Sequence, residues 1–595
     1  MTGSEKIYMA NESENSINEN VPPEAGADVE AVPVTALGTL EGTPPVEPPV
    51  FEVATGQAQS GERREIVRSA TLVMLGNLGS SVMGMVRQIV VAAMGPIVSG
   101  SFLAALTPVQ TFYTLLVDGS VSGALIPTFN DYAAPDKRDE LRRIVFTIVN
   151  LLVIITLLCS VAFIFIAPWL FDTFLAGGYS AGSKELTLQF ARIIFFSLIA
   201  LGPFSVLLAA LYALKEFGWP AFATAAYHIG IIIGAIAGAL VGQHFLGYYG
   251  LAFGVLLGST GEIALLVPGM RNQRFAYLFA LDLRHPALRR ILKLYAPVAF
   301  SFLVSMFFVF LDQTLATSTP CAAFMQGAKD CGEANFSAMK FATTLIQFPI
   351  GLVAAALSFA VLPTLTTHAR EGNTERFKET LLLGFRLGLL LMIPAAAGLI
   401  ALQLPIARLI FEHYKATVQE STLITMALQN YAYQLPFVAI DQLLISAFYA
   451  RKNTMTPVVV GVISYAGYLA VALPFWRTIG MPALALANTA QIALHAVILL
   501  VLLRMAIGPM RIRSAIPAVL KMLLATAALV VVALGLQFVL AHVQLFSLAH
   551  LSGQLLVVIV AGGLAAAAYF GCTLLLKVEE VGLLKGVLLA KLGKR

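Results

Sequence analysis

From residue 65 onward, apolar stretches follow one another along the chain with only short polar breaks. A helix that crosses a bilayer needs about 20 apolar residues. Segments of that order lie at 67–94, 100–134, 140–173, 183–214, 219–243, 248–270, 287–316, 334–367, 375–402, 420–450, 455–475, 479–505, 515–542 and 549–577. In hydrocarbon, each backbone N–H and C=O must find its partner within the protein, so runs this long predict helices. Composition agrees: 58% of the 595 residues are hydrophobic and 12% are charged, against roughly 25% charged in a soluble protein. The expected fold is all-α, a polytopic membrane protein with about 14 transmembrane helices.

Residues 1–64 differ. They are rich in Glu, Pro, Gly, Ser and Asn and lack an apolar period, a composition that cannot bury enough surface to offset chain entropy. A disordered acidic tail is expected, without the basic-then-apolar pattern of a cleavable signal peptide. Beyond it, basic residues crowd alternate loops. One set carries Arg63, Arg64, Arg68, Lys137, Arg138, Arg142, Arg143, Lys215, Arg271, Arg274, Arg284, Arg289, Arg290, Lys293, Arg370, Arg376, Lys378, Arg451, Lys452, Arg511 and Arg513; the other carries little more than Lys184, Lys329, Arg408, Lys415 and Arg477. By the positive-inside rule both termini are cytoplasmic, which an even helix count permits. The net charge of +5 is accounted for by these loops and calls for no nucleic acid. The orientation puts Cys321 and Cys331, which share one loop, on the outer side, where they could pair. Cys159 and Cys572 lie in apolar runs and read as small core residues.

The chain also repeats itself. LIPTFNDYAAPDKRDEL (125–141) aligns with VLPTLTTHAREGNTERF (361–377), and AALYALKEFGWP (209–220) with SAFYARKNTMTP (446–457). Pro127 matches Pro363, Tyr212 matches Tyr449, Lys215 matches Lys452 and Pro220 matches Pro457; the prolines stand 93 and 94 residues apart in the two halves. Six helices per half preserve orientation, so the expectation is two six-helix lobes in parallel pseudo-repeat, with a cavity between them near the midplane, plus two C-terminal helices. The expected division is a tail at 1–64, a first lobe at 65–283, a second lobe at 284–513, and a final pair with a basic C-terminus at 514–595.

The segment GMVRQIVVAAMG…DGSVSGALIPTF, from Gly84 through Arg87, Asp118, Gly119 and Pro127, resembles a signature of the MurJ (MviN) lipid II flippases of the multidrug/oligosaccharidyl-lipid/polysaccharide exporter superfamily. QFPIGLVAAALSFAVLP, with Gln347, Pro349 and Pro363, resembles that family's second-lobe signature. The resemblance covers roughly residues 66–577. It implies transport of an undecaprenyl-diphosphate-linked peptidoglycan precursor from the inner to the outer leaflet by alternating access, for cell-wall synthesis. It further implies a cationic cavity for the headgroup, a lipid groove formed by the last two helices, and partners among membrane lipids and cell-wall synthesis proteins; a monomer is expected. Charge is needed because a diphosphate entering the protein must exchange its water for fixed cations.

The resemblance places Arg87 in that cavity. Three further cavity arginines are replaced, by Ser81, Tyr113 and Thr344, and Gly100 stands where an aspartate is usual. Lys340, one turn before Thr344, could project to the same face or snorkel to the surface. Arg87 could contact substrate, or pair with Asp118 to fix the first two helices; Asp118, among glycines, reads first as structural. Asp312 matches a polar position that contributes to a sodium site in some relatives, with Thr489 as second ligand and only Ser464 and carbonyls from the neighbouring helix. Glu262 could be a proton-coupling carboxylate. Asp441 and Arg386 could pair, while His228 and His495 read as hydrogen-bonded packing. No nucleophile–base pair, phosphate-binding loop or metal-ligand cluster is legible, so no enzyme is expected; coupling would be to Na+, H+ or the membrane potential. Three functions compete: lipid-linked-sugar flippase, drug or ion exporter of the same superfamily, and transport-incompetent scaffold.

Overall fold

The computed structural model describes residues 60–120, 124–241, 247–325, 327–543 and 546–582. Among them there is no strand. The first half holds α1 (Ser60–Ala92), α2 (Pro96–Ser120), α3 (Ile126–Asn130), α4 (Arg138–Leu170), α5 (Ala181–Ile194), α6 (Leu198–Ala213), α7 (Gly218–Val241) and α8 (Tyr249–Asn272). The second holds α9 (Pro286–Thr317), α10 (Cys331–Ala360), α11 (Leu362–Arg370), α12 (Thr374–Ala401), α13 (Gln403–Phe411), α14 (Val418–Ala432), α15 (Leu435–Ala450), α16 (Met455–Phe475) and α17 (Met481–Ile507), followed by α18 (Ile516–Leu540) and α19 (Leu551–Leu575). Of the expected tail, 1–59 lies outside the described residues, and α1 begins at Ser60.

Among the described residues, ten helices are long and apolar enough to cross a membrane, and Phe302–Thr317 and Leu435–Ala450 are shorter apolar helices. That is fewer than the fourteen segments counted in the sequence. Part of the difference is that 420–450 becomes α14 and α15 with a turn between them, of which Leu435–Ala450 counts as a shorter apolar helix, whereas 183–214 bends at a 3-10 turn between α5 and α6 and still counts as one span. The short α13 was not foreseen; Arg408 and Glu412 bridge its end at 3.3 Å.

The repeat is visible in local geometry. In each half a long helix, α2 or α10, gives way to a short helix whose first turn holds the matched proline, Pro127 in α3 and Pro363 in α11. The matched lysines terminate α6 and α15 in the same manner. Lys215 and Lys452 adopt the left-handed region, with φ of 59° and 58°. Lys215 N–H donates to Tyr212 O (3.0 Å) and Glu216 N–H to Leu211 O (2.9 Å); Lys452 N–H donates to Tyr449 O (2.8 Å) and Asn453 N–H to Phe448 O (3.0 Å). This pair of bonds closes the orphan carbonyls of a helix end, usually around glycine. Lysine here complements the negative end of the helix dipole.

The first-half helices pack mainly on one another, α7 on α1 and α8, α4 on α6, and α2 on α5; in the second half α10 packs on α14, α12 on α15, and α17 on α15 and α16. Between apolar helices in lipid, close approach depends on small residues. The α7–α8 pair shows this most clearly, because a Cβ at Gly230, Gly234 or Gly238 would lie 2.2–2.3 Å from backbone atoms of Gly258, Gly250 or Gly247. The final pair, α18 and α19, packs on α12 and α13. It forms its own core around Leu390, Met522 and Tyr569, whose hydroxyl donates to Leu390 O at 2.7 Å. Cys159, expected in the core, is exposed on α4, and Cys572 is half-buried.

Gly234→Val is expected to force α7 from α8 at a cost of about 1–3 kcal/mol. Gly261→Ala, whose Cβ would meet Ala226 Cβ at an ordinary 3.5 Å, should be neutral. The apparent melting temperatures of the two purified variants in detergent check the difference.

Candidate functional site

The halves meet most tightly at the end where α2 and α10 begin. A Cβ on Gly100 would lie 2.6 Å from Glu333 O and 2.8 Å from its Cα, and Gly178 and Gly332 bring the chain as close to Thr317 O. Tyr179 donates its hydroxyl to Gly100 O (3.1 Å), and Ser180 N–H donates to Glu333 Oε1 (3.1 Å). Ser180 also caps α5 through the Ser183 amide. Gln313 Nε2 on α9 donates to Ala104 O (3.3 Å) and Leu175 O (3.0 Å), and Lys415 N–H donates to Ala93 O (3.2 Å). At the rim, Lys415 Nζ donates to the Tyr248 hydroxyl at 3.1 Å, and that bond raises the ammonium above its ordinary range. The glycine at 100 therefore has a steric reason: any side chain there would strike the α10 backbone while the seam is shut. Cys321 and Cys331 form a disulfide that joins the end of α9 to the start of α10 beside this seam.

Arg87 is 3% exposed on α1. Its charge acts on Tyr227 and His228 of α7, and Glu262 of α8 also acts on Tyr227. Gly84, one turn before Arg87, is the position at which a Cβ would sit 3.4 Å from His228 Nε2. Arg87 thus belongs to a polar cluster inside the first lobe, at the α1–α7 contact. Glu262 is buried, and neither of its carboxylate oxygens has a hydrogen-bond partner among the described residues. Asp118 and Gly119 fall in the last turn of α2, where side chains lie outside the described residues.

Lys340 is 3% exposed on α10, with Nζ 5.0 Å from the Phe336 ring centroid. It does not snorkel, because its ammonium sits over the aromatic face one turn earlier. Further along α10 come half-buried Gln347 and Pro349, and α11 follows with Pro363.

Asp312 is buried on α9 and accepts a hydrogen bond from the Tyr468 hydroxyl of α16 at 2.5 Å. Tyr468 thus supplies the polar partner on α16, a helix without Asn or Asp. Beside it, Tyr465 stacks on Phe308 of α9, 3.7 Å between centroids. Thr489 is otherwise engaged: its hydroxyl donates to the carbonyls of Asn430 and Ala485, both at 3.3 Å. Ser464 donates to Gly461 O at 2.7 Å. No group of three or more His, Cys, Asp and Glu placed to hold a metal occurs among the described residues.

Asp441 and Arg386 do not pair. Asp441 meets His495 of α17, Oδ1 to Nδ1 2.6 Å, and His495 Nε2 lies 3.1 Å from Pro457 O. Arg386 turns to the last segment, with Nη1 3.3 Å from buried Glu580 and Nη2 donating to Ser514 O at 2.9 Å. It anchors the α18–α19 pair at the second lobe.

The chain compares with known proteins as follows. Residues 90–560 match the family model described as lipid II flippase MurJ. A probable lipid II flippase MurJ of Bdellovibrio bacteriovorus is 28% identical over 526 residues, covering 87% of this chain and 96% of that protein. A lipid II flippase MurJ of Burkholderia cenocepacia is 24% identical over 354 residues, covering 58% of this chain and 66% of that one. Among solved structures, a lipid II flippase MurJ in an inward closed conformation superposes with a TM-score of 0.67 at 20% identity, covering 84% of this chain and 99% of that one. An inward-facing multidrug resistance transporter of the MATE family gives 0.58 at 16% identity, covering 72% and 94%.

Gly100→Val should prevent the seam from closing. Asn335, buried beside it on α10 and bonded to Thr319 O and Pro320 O, would then be uncovered. The rate at which a maleimide labels an Asn335→Cys variant is expected to rise at least about ten-fold when Gly100→Val is added, the equivalent of 1.4 kcal/mol in the opening equilibrium.

Proposed function

The chain belongs to the lipid II flippase MurJ family, and from this we propose that it moves lipid II, the undecaprenyl-diphosphate-linked peptidoglycan precursor, from the inner to the outer leaflet of the cell membrane. The observation that carries the reading is the family match across 90–560, which spans both lobes. The chain is a multi-pass transporter of lipid-linked substrate, not an enzyme, in which 65–283 and 284–513 rock about the cavity and 514–595 supplies the lipid groove. With both termini on the cytoplasmic side, the contact at Gly100 and Glu333 lies on the outer side, and substrate would enter from the inner leaflet.

A diphosphate leaving water needs charge-assisted partners worth about 1.5–3 kcal/mol each. Arg87, in the first signature, and Lys340, on α10 ahead of the second, are the buried cations that would supply them. Their tight settings, against Tyr227 and His228 in one lobe and over Phe336 in the other, hold the side chains before substrate arrives. The loss of arginine at Ser81, Tyr113 and Thr344 makes each remaining cation count for more. That same loss favours a second reading, a transport-incompetent scaffold whose acidic tail docks a cell-wall synthesis protein.

Complementation of a cell depleted of its own lipid II flippase separates the two readings. The flippase reading expects rescue by the native chain and by a chain lacking residues 2–60. It also expects at least about a ten-fold lower flipping rate in Arg87→Ala, matching the loss of one charge-assisted contact. Failure of the native chain despite membrane insertion would refute it. The scaffold reading expects the tail deletion to abolish function and leave insertion intact.

A further inference from the structure

Asp441 and His495 form a buried carboxylate–imidazole pair apart from Arg87 and Lys340. His495 on α17 has both ring nitrogens against acceptors: Nδ1 faces Asp441 Oδ1 of α15 at 2.6 Å, and Nε2 faces the Pro457 carbonyl at the start of α16 at 3.1 Å. Both side chains are almost wholly buried, 4% and 6% exposed. A carbonyl can only accept, so Nε2 carries a hydrogen. One more hydrogen must lie between Nδ1 and the carboxylate, whichever atom holds it. The pair is therefore a one-proton site, neutral as a whole when loaded.

Removing that proton has a mechanical consequence. A neutral imidazole has one N–H, so it can donate to Asp441 or to Pro457, never to both. Whichever bond is lost, a lone pair then faces an acceptor, and α17 loses its polar tie to α15 or to α16. The unloaded pair is also a buried anion, which is costly unless water enters. Proton exchange and loosening of these three helices must accompany each other.

Neighbouring charges leave the pair to itself. From α12, Arg386 is engaged with Glu580 and Lys378 with Glu375 (2.9 Å); from α10, Lys340 lies over Phe336. From α9 and α16, Asp312 and Tyr468 bond each other; from α11, His368 meets Glu371 at 3.5 Å; α14 contributes Glu420, whose charged neighbour is Asp330. The charged group that acts on Asp441 is His495, and the converse holds.

We infer that Asp441 and His495 form the proton-exchange site that couples movement of the second lobe to a proton gradient, one proton passing inward as one lipid-linked substrate passes outward. The inference rests on the flippase reading above for its substrate, though not for the proton site itself.

Two measurements on the full chain test it. Infrared difference spectra of the purified protein between acid and alkaline buffer should contain a carboxyl band that Asp441→Asn lacks and an imidazole band that His495→Gln lacks. Spectra unchanged by both substitutions would overturn the site. In proteoliposomes, fluorescent lipid II should flip several-fold faster under an inward proton gradient with the native chain. With Asp441→Asn, flipping should continue with no response to the gradient; equal responses would overturn the coupling. If native protein flips nothing under any gradient, the lipid II reading and the coupling fall together, while the infrared titration still decides the proton site. Should Asp441→Asn fail to fold, His495→Gln carries the same comparison.

Discussion

The structure depends on one constraint: within hydrocarbon no backbone polar group can be left to water, so each segment must be a helix and helices must recognise one another without a hydrophobic driving force. Backbone proximity takes that role here. Glycine meets glycine along α7 and α8, and Gly100, Gly178 and Gly332 let the two halves touch main chain to main chain. The first set of contacts joins two helices of one half; the second joins the halves to each other. The same chemistry thus serves both interfaces, and more glycines line up along α7 and α8 than at the contact between the halves.

Polar side chains inside this frame fall into pairs that join helices. Asp312 and Tyr468 join α9 to α16, Asp441 and His495 join α15 to α17, and Arg386 and Glu580 join α12 to the segment after α19. Each satisfies a group that would be costly to bury alone. Glu262 on α8 differs, since it is buried and neither carboxylate oxygen has a hydrogen-bond partner among the described residues. The second lobe and its appended pair carry most of the buried pairing, and the first lobe carries the Arg87 cluster.

Much of the architecture was legible in the sequence because it is written in local terms. Apolar length predicts helices, and the matched prolines and lysines predict a repeat that reappears as proline-led short helices and left-handed lysine caps. The partners were not legible, for a physical reason. Asp441 and His495 are 54 positions apart and Arg386 and Glu580 are 194 apart, so no periodicity links them. Tyr468 was overlooked because a tyrosine on an apolar helix reads as packing. The replacement of aspartate by Gly100 was visible as a departure, yet its meaning required the α10 backbone to be placed against it. Arg87 was legible as a cation at membrane depth, whereas its setting beside Tyr227 and His228 was not.

The cross-link between Cys321 and Cys331 has a bearing on how the molecule can move. Cys321 lies in the connector just beyond α9 and Cys331 is the first residue of α10, so the bond shortens the link between the two helices. With the connector shortened in this way, Thr317 at the end of α9 and Gly332 at the start of α10 stay together on one side of the contact that Gly178 makes from the other half.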